Sequence, residues 1–201
     1  EENTLQSLKE NVDLICTISA ERIQEELNKL LLKAKYPSAG FRLMQKVGLL
    51  EKILPELASC VGVTQPGGYH AYDVFEHSIL TVDFAPRDLV IRLAALFHDV
   101  SKPETKVPTQ DGATFYGHEK RGARLTRKVL QRLRYSNQII EQVTLLVDKH
   151  MFTTGVTDKG VRRLIKKMGE ELVFPLLELR RADVVAQGKE GSTKDVDELE
   201  E

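Results

Sequence analysis

The chain has 201 residues and a net charge of −1 at pH 7, and 41% of its residues are hydrophobic. This composition is typical of a globular protein with one large domain, or a domain with an appendage. The sequence contains no apolar run of about 18 residues and no signal-peptide pattern, so we expect a cytoplasmic protein without a membrane partner.

The first 58 residues show helical spacing throughout. Apolar residues recur every three or four positions, at Leu5, Leu8, Val12 and Ile15 and again at Ile23, Leu27, Leu30 and Leu31. Ser19 lies directly before the second group and is predicted to cap its helix. After the break YPSAG, the segment FRLMQKVGLLEKILPEL predicts two short helices with a hinge near Gly48.

Helical patterns continue after the loop GVTQPGG, over residues 73–84, 87–100, 117–134, 136–151, 157–168 and 170–187. Pro103 is expected to stop the apolar helix over 87–100 and to open a polar connection, in which ATFY at 113–116 is the one candidate strand. The segment KEGSTKDVDELEE has almost no apolar residues and is predicted to be disordered. The fold class is therefore all-α.

Four of the five histidines occur where a helical bundle would bury them, namely His77, His98, His118 and His150. Two acidic residues accompany them. Asp99 follows His98 directly, and Asp183 shares a helix face with Leu176 and Leu179. Asp183 could instead pair with Arg180 one turn earlier. His70 follows a glycine-rich loop, which favours a loop or capping role, so it stays outside the set.

The grouping of imidazole and carboxylate ligands predicts a metal site between helices, because both ligand types suit first-row divalent metals. A bound metal would activate water near neutral pH. One or two ions of manganese, iron, cobalt, nickel or zinc fit this set better than magnesium, which prefers more oxygen ligands. The two cysteines, Cys16 and Cys60, lack ligand spacing and are expected to be reduced thiols.

Charge is distributed unevenly along the chain. Residues 117–167 contain 13 Lys and Arg against four Asp and Glu, whereas residues 168–201 contain four against ten. These blocks could be solvated helix faces followed by an acidic end. Alternatively, the basic block could attract a polyanion.

The order His77, His98–Asp99 and Asp183 resembles the HD superfamily of metal-dependent phosphohydrolases, and His118 and His150 occur where two-metal members carry extra histidines. The segments YHAYDVFEHSIL, RLAALFHDVSKPET, GHEKRGA, RLRYSNQIIEQV and RADVVAQG together look like the HD region of bacterial tRNA nucleotidyltransferases, the CCA-adding and poly(A) polymerase family. TLQSLKENVDLICTISAERIQEELNKLL and AGFRLMQKVGLLEKILPEL resemble the helical neck of that family. The resemblance covers residues 3–188.

This resemblance implies an HD-domain helical bundle preceded by a helical neck. We expect the neck at residues 1–58, the HD domain at 59–188 and an acidic, disordered tail at 189–201. The family's glycine-rich start and paired-aspartate motif are not found, so the chain is not expected to add nucleotides by itself. It opens with EENTLQ and no methionine, as a fragment would. Val100 and Ser101 follow the doublet, where the family usually has glycine before Lys102.

By resemblance, the activity would be hydrolysis of phosphomonoesters or 2′,3′-cyclic phosphodiesters of nucleotides or RNA ends. His77, His98, Asp99 and Asp183 would bind one metal, and His118 and His150 a second metal or the substrate phosphate. Asp99 would also orient the attacking water. Lys102 and Arg121 are candidate phosphate contacts, although Lys102 could simply pair with Asp99 and Arg121 could be a solvated surface residue.

The alternative from the same resemblance is an RNA-binding body whose metal site is structural or vestigial. Basic residues at 120–134 and 162–167 would then hold tRNA through its phosphates. The stripe consists of Lys120, Arg121, Arg124, Arg127, Lys128, Arg132 and Arg134, with Arg162, Arg163, Lys166 and Lys167. The sequence does not fix the oligomeric state.

Overall fold

The computed structural model describes residues 2–65, 72–110, 112–153, 158–187 and 193–197. Regular structure among these residues consists of helices and one short β-hairpin, which confirms the all-α class. None of the described helices is both long and apolar enough to cross a bilayer.

The N-terminal part contains α1 (Glu2–Glu10), a 3-10 helix (Val12–Thr17), α2 (Ala20–Lys33), α3 (Pro37–Lys46), α4 (Leu50–Ile53) and α5 (Pro55–Ala58). The first predicted helix is therefore split, since the chain tightens into the 3-10 form after Asn11. The Ser19 hydroxyl accepts the Arg22 N–H at 3.3 Å, which confirms the predicted cap. Gly48 lies between α3 and α4 with a φ of 78°, as the predicted hinge requires.

The rest of the described chain contains α6 (Val74–Phe84), α7 (Leu89–Phe97), α8 (Lys102–Thr105), β1 (Val107–Thr109), β2 (Gly112–Thr114), α9 (His118–Arg132), α10 (Asn137–Lys149), α11 (Asp158–Met168), α12 (Glu170–Ala186) and α13 (Lys194–Asp197). The helix boundaries agree with the predicted patterns to within a few residues. Helices α6, α7, α10 and α12 pack against one another and form the centre of the bundle.

One expectation for the polar connection is wrong, and a second is incomplete. Pro103 does not end α7, which stops at Phe97; it lies in the first turn of α8, where its missing N–H costs no helical hydrogen bond. The candidate strand is one half of an antiparallel hairpin in which Val107 pairs with Thr114. Its partner strand was not foreseen, because β1 is exposed, three residues long and contains Pro108.

The expected disorder of the tail is wrong for residues 193–197. Lys194–Asp197 form one helical turn, α13, and Val196 is buried. The Asp197 carboxylate accepts hydrogen bonds from Arg181 on α12, with Nη2 at 2.8 Å from Oδ1. The remaining tail residues, 189–192 and 198–201, lie outside the described residues.

The neck-like helices and the later helices share one apolar core, which includes Leu31 and Phe41 together with Leu93 and Phe97. Polar contacts also join the neck-like helices to the later helices. Buried Arg92 donates to the Leu31 carbonyl at the end of α2, and Asp83 on α6 accepts the Ser38 N–H at 2.9 Å. Cys60 is buried in this core and Cys16 is exposed, and both are free thiols. The neck therefore supports the helix that carries His77.

Candidate metal centre

The structure brings all six predicted ligands together in the interior of the bundle. His77 lies in α6, His98 and Asp99 follow the end of α7, and Asp183 lies in α12. The other two are helix-terminal residues: His118 begins α9 and His150 follows α10. All six side chains are buried. Because burying this many polar groups costs free energy without partners, the cluster requires a compensating interaction.

Local hydrogen bonds position the helices that carry these ligands. Asp73 caps α6 by accepting the Glu76 N–H at 2.7 Å, and its second oxygen accepts the Gly62 N–H at 2.6 Å. The Ser101 hydroxyl donates to the His118 carbonyl at 2.7 Å, which joins the turn after α7 to the start of α9. The ends of separate helices are thus fixed at one point.

Gly122 lies where α9 packs closely against the bundle. A Cβ at this position would lie 3.5 Å from the His98 carbonyl oxygen and 3.4 Å from Val147 Cγ1. The glycine therefore faces the turn after α7 and the packed face of α10. The room it leaves brings α9 close to the bundle and is not open to a substrate.

The six ligands form two sets. The first contains His77, His98 and Asp183, with His77 Nε2 at 3.0 Å from Asp183 Oδ1 and at 3.2 Å from His98 Nε2. The second contains Asp99, His118 and His150, with the Nε2 atoms of the two histidines 3.3 Å apart. Within each set, the ligand atoms all lie within 4.8 Å of one another.

Asp99 connects the two sets. Its Oδ2 lies 3.2 Å from His98 Nε2 and 3.7 Å from His77 Nε2. Its Oδ1 lies 3.3 Å from His118 Nε2 and 3.8 Å from His150 Nε2. One carboxylate therefore faces both sets, which is the arrangement of a ligand that bridges two ions.

The outer nitrogen of each ring lies against a backbone carbonyl. His98, His118 and His150 donate from Nδ1 to Ala95, Phe115 and Val147, each at 2.8 Å, and His77 Nδ1 lies 3.4 Å from the Ala186 oxygen. These contacts assign the proton of a neutral ring to Nδ1 and leave the Nε2 lone pair facing the cluster. Four lone pairs pointing at one small volume fit a cation there.

The electrostatics of the cluster keep the carboxylates ionised. Burial alone would raise the pKa of Asp99, but the charges of His98 and Lys102 hold that pKa well below its usual range. At Asp183, burial likewise tends to raise the pKa. The hydrogen bond with His77 outweighs this effect and lowers the pKa. Anionic oxygen atoms are therefore available to a metal at neutral pH.

The pKa values of His98 and His150 are shifted in opposite directions. Burial would lower the pKa of His98, but the Asp99 carboxylate outweighs burial and raises it. Burial and the charge of His98 lower the pKa of His150 to about 3. His150 is therefore a neutral candidate ligand at physiological pH, whereas the raised pKa of His98 makes protons stronger competitors for a metal at that ring.

A cavity of about 650 Å³ opens onto the cluster. The ligands His98, Asp99, His118, His150 and Asp183 form part of its wall. Most of the remainder comes from the hairpin end, α8 and α12, namely Gln65, Lys102, Ala113, Thr114, Phe115, Tyr116, Gly117, Glu119, Met151, Arg180 and Gln187. Its size suits a nucleotide-sized ligand.

The two predicted phosphate contacts lie in different places. Lys102 is in the cavity wall and is buried, with Nζ at 2.6 Å from Asp99 Oδ2, so the alternative pairing with Asp99 exists in this structure. Arg121 is not among the residues that line the cavity. It is exposed on α9 and pairs with Glu104, as a surface residue would. His70 lies outside the described residues.

Several cavity residues were not predicted as site residues. Arg180 was considered only as a partner for Asp183, and its Nη1 does lie 2.8 Å from Asp183 Oδ2. The spacing of three residues on one helix face signals this contact, but the sequence does not show that Arg180 also borders the cavity. Gln65 and Tyr116 reach the wall from loops, and no periodic pattern identifies them.

Two family models match the chain in succession. A model described as the probable RNA and SrmB-binding site of polymerase A matches residues 1–61. A model described as the HD domain matches residues 68–186, which include every predicted metal ligand.

Curated relatives match over most of the chain. An A-adding tRNA nucleotidyltransferase of Deinococcus radiodurans is 36% identical over 81% of this chain and 38% of its own length. A CC-adding tRNA nucleotidyltransferase of Thermus thermophilus is 39% identical over 83% of this chain and 39% of its own. A multifunctional CCA protein of Methylobacillus flagellatus is 37% identical over 65% of this chain and 32% of its own length. The chain therefore spans less than half the length of each of these relatives.

Proposed function

The chain belongs to the HD family, and from this membership we propose that it is a metal-dependent phosphohydrolase acting on phosphomonoesters or 2′,3′-cyclic phosphodiesters of nucleotides or RNA ends. The observation that carries the proposal is the convergence of four imidazole Nε2 atoms on the Asp99 carboxylate. Surface histidines would not be buried in this way, and a purely structural cluster would not require a cavity beside it.

Two divalent ions fit the residues. His77, His98 and Asp183 would hold one and His118 and His150 the other, with Asp99 shared between them. When bound, such ions lower the pKa of water and neutralise phosphate charge. Nitrogen ligands outnumber carboxylates, which favours manganese, iron, cobalt, nickel or zinc over magnesium.

The protein's own side chains supply positioning and charge. Asp99 would orient the attacking water through a carboxylate oxygen. Lys102, beside Asp99, and Arg180, beside Asp183, would donate N–H groups to the phosphoryl oxygens. This assigns to Arg180 the role that the sequence suggested for Arg121, because Arg180 borders the cavity and Arg121 does not. Phe115 and Tyr116 provide an apolar wall for the nucleoside.

Metal dependence tests the proposal directly. We expect purified protein to bind one or two divalent ions and to hydrolyse some members of a panel containing a 2′,3′-cyclic nucleotide, a 2′-nucleotide and an aryl phosphate. Removing metal with a chelator should abolish hydrolysis, and adding back manganese, cobalt or nickel should restore it. A protein that binds none of these ions would contradict the proposal.

The second candidate is RNA binding, favoured by the exposed cations of α9 and α11. Lys120, Arg124 and Lys128 are exposed and form no ion pair within the described part of the chain. The relatives are named for action on tRNA, so tRNA is the first RNA to test. The two functions are compatible, since the basic residues and the metal ligands occupy different faces of α9.

A further inference from the structure

Gln65 lies in the wall of the metal-centre cavity and is only 7% exposed. It follows α5 and is outside both sets of metal ligands. A buried glutamine must place both ends of its amide, an acceptor oxygen and a donor nitrogen, against suitable partners. Only one of these ends has a partner among the residues that the structure describes.

Lys102 fixes which way the amide points. Its Nζ donates to Gln65 Oε1 at 2.5 Å and to Asp99 Oδ2 at 2.6 Å. Because an ammonium group has donors only, the amide atom beside it must be the oxygen. The Gln65 Nε2 donor therefore faces away from Lys102.

That donor has no acceptor. Within the described ranges, three buried side-chain nitrogen or oxygen atoms have no hydrogen-bond partner, namely Gln65 Nε2, Thr126 Oγ1 and Arg180 Nε. Two of the three belong to residues that border the same cavity. A donor left unpaired in a closed interior is costly, so its position beside a ligand-sized cavity points to an acceptor brought by the ligand.

The surroundings select the kind of acceptor. Lys102 and Arg180 place positive charge on this cavity, and metal ions bound at the six ligands would add more. These charges attract an anion with several oxygen atoms. We propose, on the basis of the proposed function, that Gln65 is a substrate-binding residue whose Nε2–H donates to a nonbridging phosphoryl oxygen, while its Oε1 tethers Lys102.

Inorganic phosphate is a suitable probe because it needs no turnover. With manganese-loaded protein in a calorimeter, Gln65→Met should weaken phosphate binding by about tenfold, the effect expected for losing a hydrogen bond to a charged group. Metal content should not change. Gln6→Met, which alters an exposed glutamine on α1 bonded to Glu10, is the matched control and should bind phosphate normally.

A double-mutant cycle separates direct contact from an effect exerted through Lys102. If Gln65 touches the phosphate, Gln65→Met should still weaken binding severalfold in a Lys102→Met background. If Gln65 only holds Lys102, its effect should vanish there, and the proposal is overturned. It is also overturned if Gln65→Met alone leaves the phosphate Kd unchanged, or if the loaded parent protein binds no phosphate.

Gln65→Glu covers the case in which Gln65→Met fails to fold or to load metal. The glutamate keeps an acceptor for Lys102 but has no donor, so it should lose phosphate binding and retain metal. Phosphate binding equal to that of the parent would overturn the inference. A protein that binds phosphate through Gln65 but cleaves no phosphoester would contradict the proposed hydrolysis and leave this inference intact.

Discussion

Asp99 is the residue on which the candidate site depends. One oxygen faces His77 and His98, the other faces His118 and His150, and Lys102 pairs with the carboxylate from the cavity side. Lys102 balances the carboxylate charge but cannot satisfy four imidazole lone pairs, because its ammonium group donates hydrogen bonds to Gln65 and Asp99. Bound metal ions would account for both the carboxylate and the rings.

Proton competition at His98 predicts how metal affinity depends on pH. Its pKa is raised in the folded protein by Asp99 despite burial. The proton on His98 therefore stabilises the metal-free fold below about pH 6.5, and this contribution is lost as the pH rises through the folded pKa. A metal must displace this proton, so lowering the pH should weaken binding by up to about tenfold per unit for one displaced proton.

Calorimetric titration of metal-free protein with manganese over about pH 6 to about pH 8 would measure this dependence. Repeating the titration in two buffers of different ionisation enthalpy would count the protons released. An affinity that does not change over this range, with no proton release, would show that His98 is not a ligand.

The clustering of the candidate ligands could be predicted from the sequence because each one occupies a defined place on a helix or at its end. His77 and Asp183 lie among apolar residues at helical spacing, and His98, His118 and His150 mark helix ends. Gln65 and Arg180 could not be assigned in the same way. Their roles depend on which loop and which helix face border the cavity, and only tertiary packing decides that.

Helix α9 has one face buried in the bundle and an opposite face exposed to solvent. His118 begins it on the buried side, and the same face carries Gly122, Thr126, Val129 and Leu130 into the bundle. Its opposite face carries the cations. Some of these are partly neutralised, because Arg121 pairs with Glu104 and Arg132 with Glu56. Arg124 and Lys128 form no ion pair with any described residue, so they are the better candidates for RNA phosphate contacts.

Removing three cations from this face should weaken RNA binding without affecting the metal centre. We expect Arg124→Ala with Arg127→Ala and Lys128→Ala to weaken tRNA binding and to reduce the slope of log affinity against log salt by up to about three. Binding measured at several salt concentrations would test this. Hydrolysis of a cyclic nucleotide monophosphate serves as the internal control and should be nearly unchanged.

The result would contradict the RNA-binding proposal if tRNA affinity and its salt dependence were the same in the triple variant and the parent. A parallel loss of cyclic nucleotide hydrolysis and tRNA binding would indicate general damage to α9, which the helical content of the variant would reveal.

Secondary-structure elements were predicted correctly where the apolar periodicity extends over many residues. They were missed where the element is only a few residues long. Helices α9, α10 and α12 are long enough for their apolar spacing to define them. The hairpin has strands of only three residues, exposed in β1 and partly buried in β2, so it has no alternating pattern to detect. The 3-10 segment Val12–Thr17 keeps apolar residues at helical spacing, and the pattern cannot distinguish the two helix types.

At the scale of the whole molecule, the neck-like segment and the HD region are packed as one core. Leu31 and Phe41 lie in the same apolar cluster as Phe97, which precedes the His98–Asp99 doublet. Ion pairing strengthens the boundary, since Arg42 of α3 pairs with Glu76, the neighbour of His77. The predicted division at residues 58 and 59 remains a prediction about evolutionary units, whereas packing is continuous across it.

The most direct test of metal-dependent hydrolysis is the kinetics of Asp99→Ala on a 2′,3′-cyclic nucleotide. The substitution removes the carboxylate shared by both ligand sets. We expect kcat/KM to fall by about 10³-fold or more, equivalent to about 4 kcal/mol at ~1.4 kcal/mol per tenfold. Asp13→Ala, which removes an exposed aspartate paired with Lys52, is the matched control and should retain full activity.

Binding to tRNA should be nearly the same in Asp99→Ala and the parent, because Asp99 is buried and is not on the basic face of α9. If Asp99→Ala folds normally, as judged by circular dichroism, and hydrolyses the cyclic nucleotide as fast as the parent and Asp13→Ala, the central claim is contradicted. A fall in hydrolysis of at least 10³-fold, with tRNA binding retained, is the result predicted here.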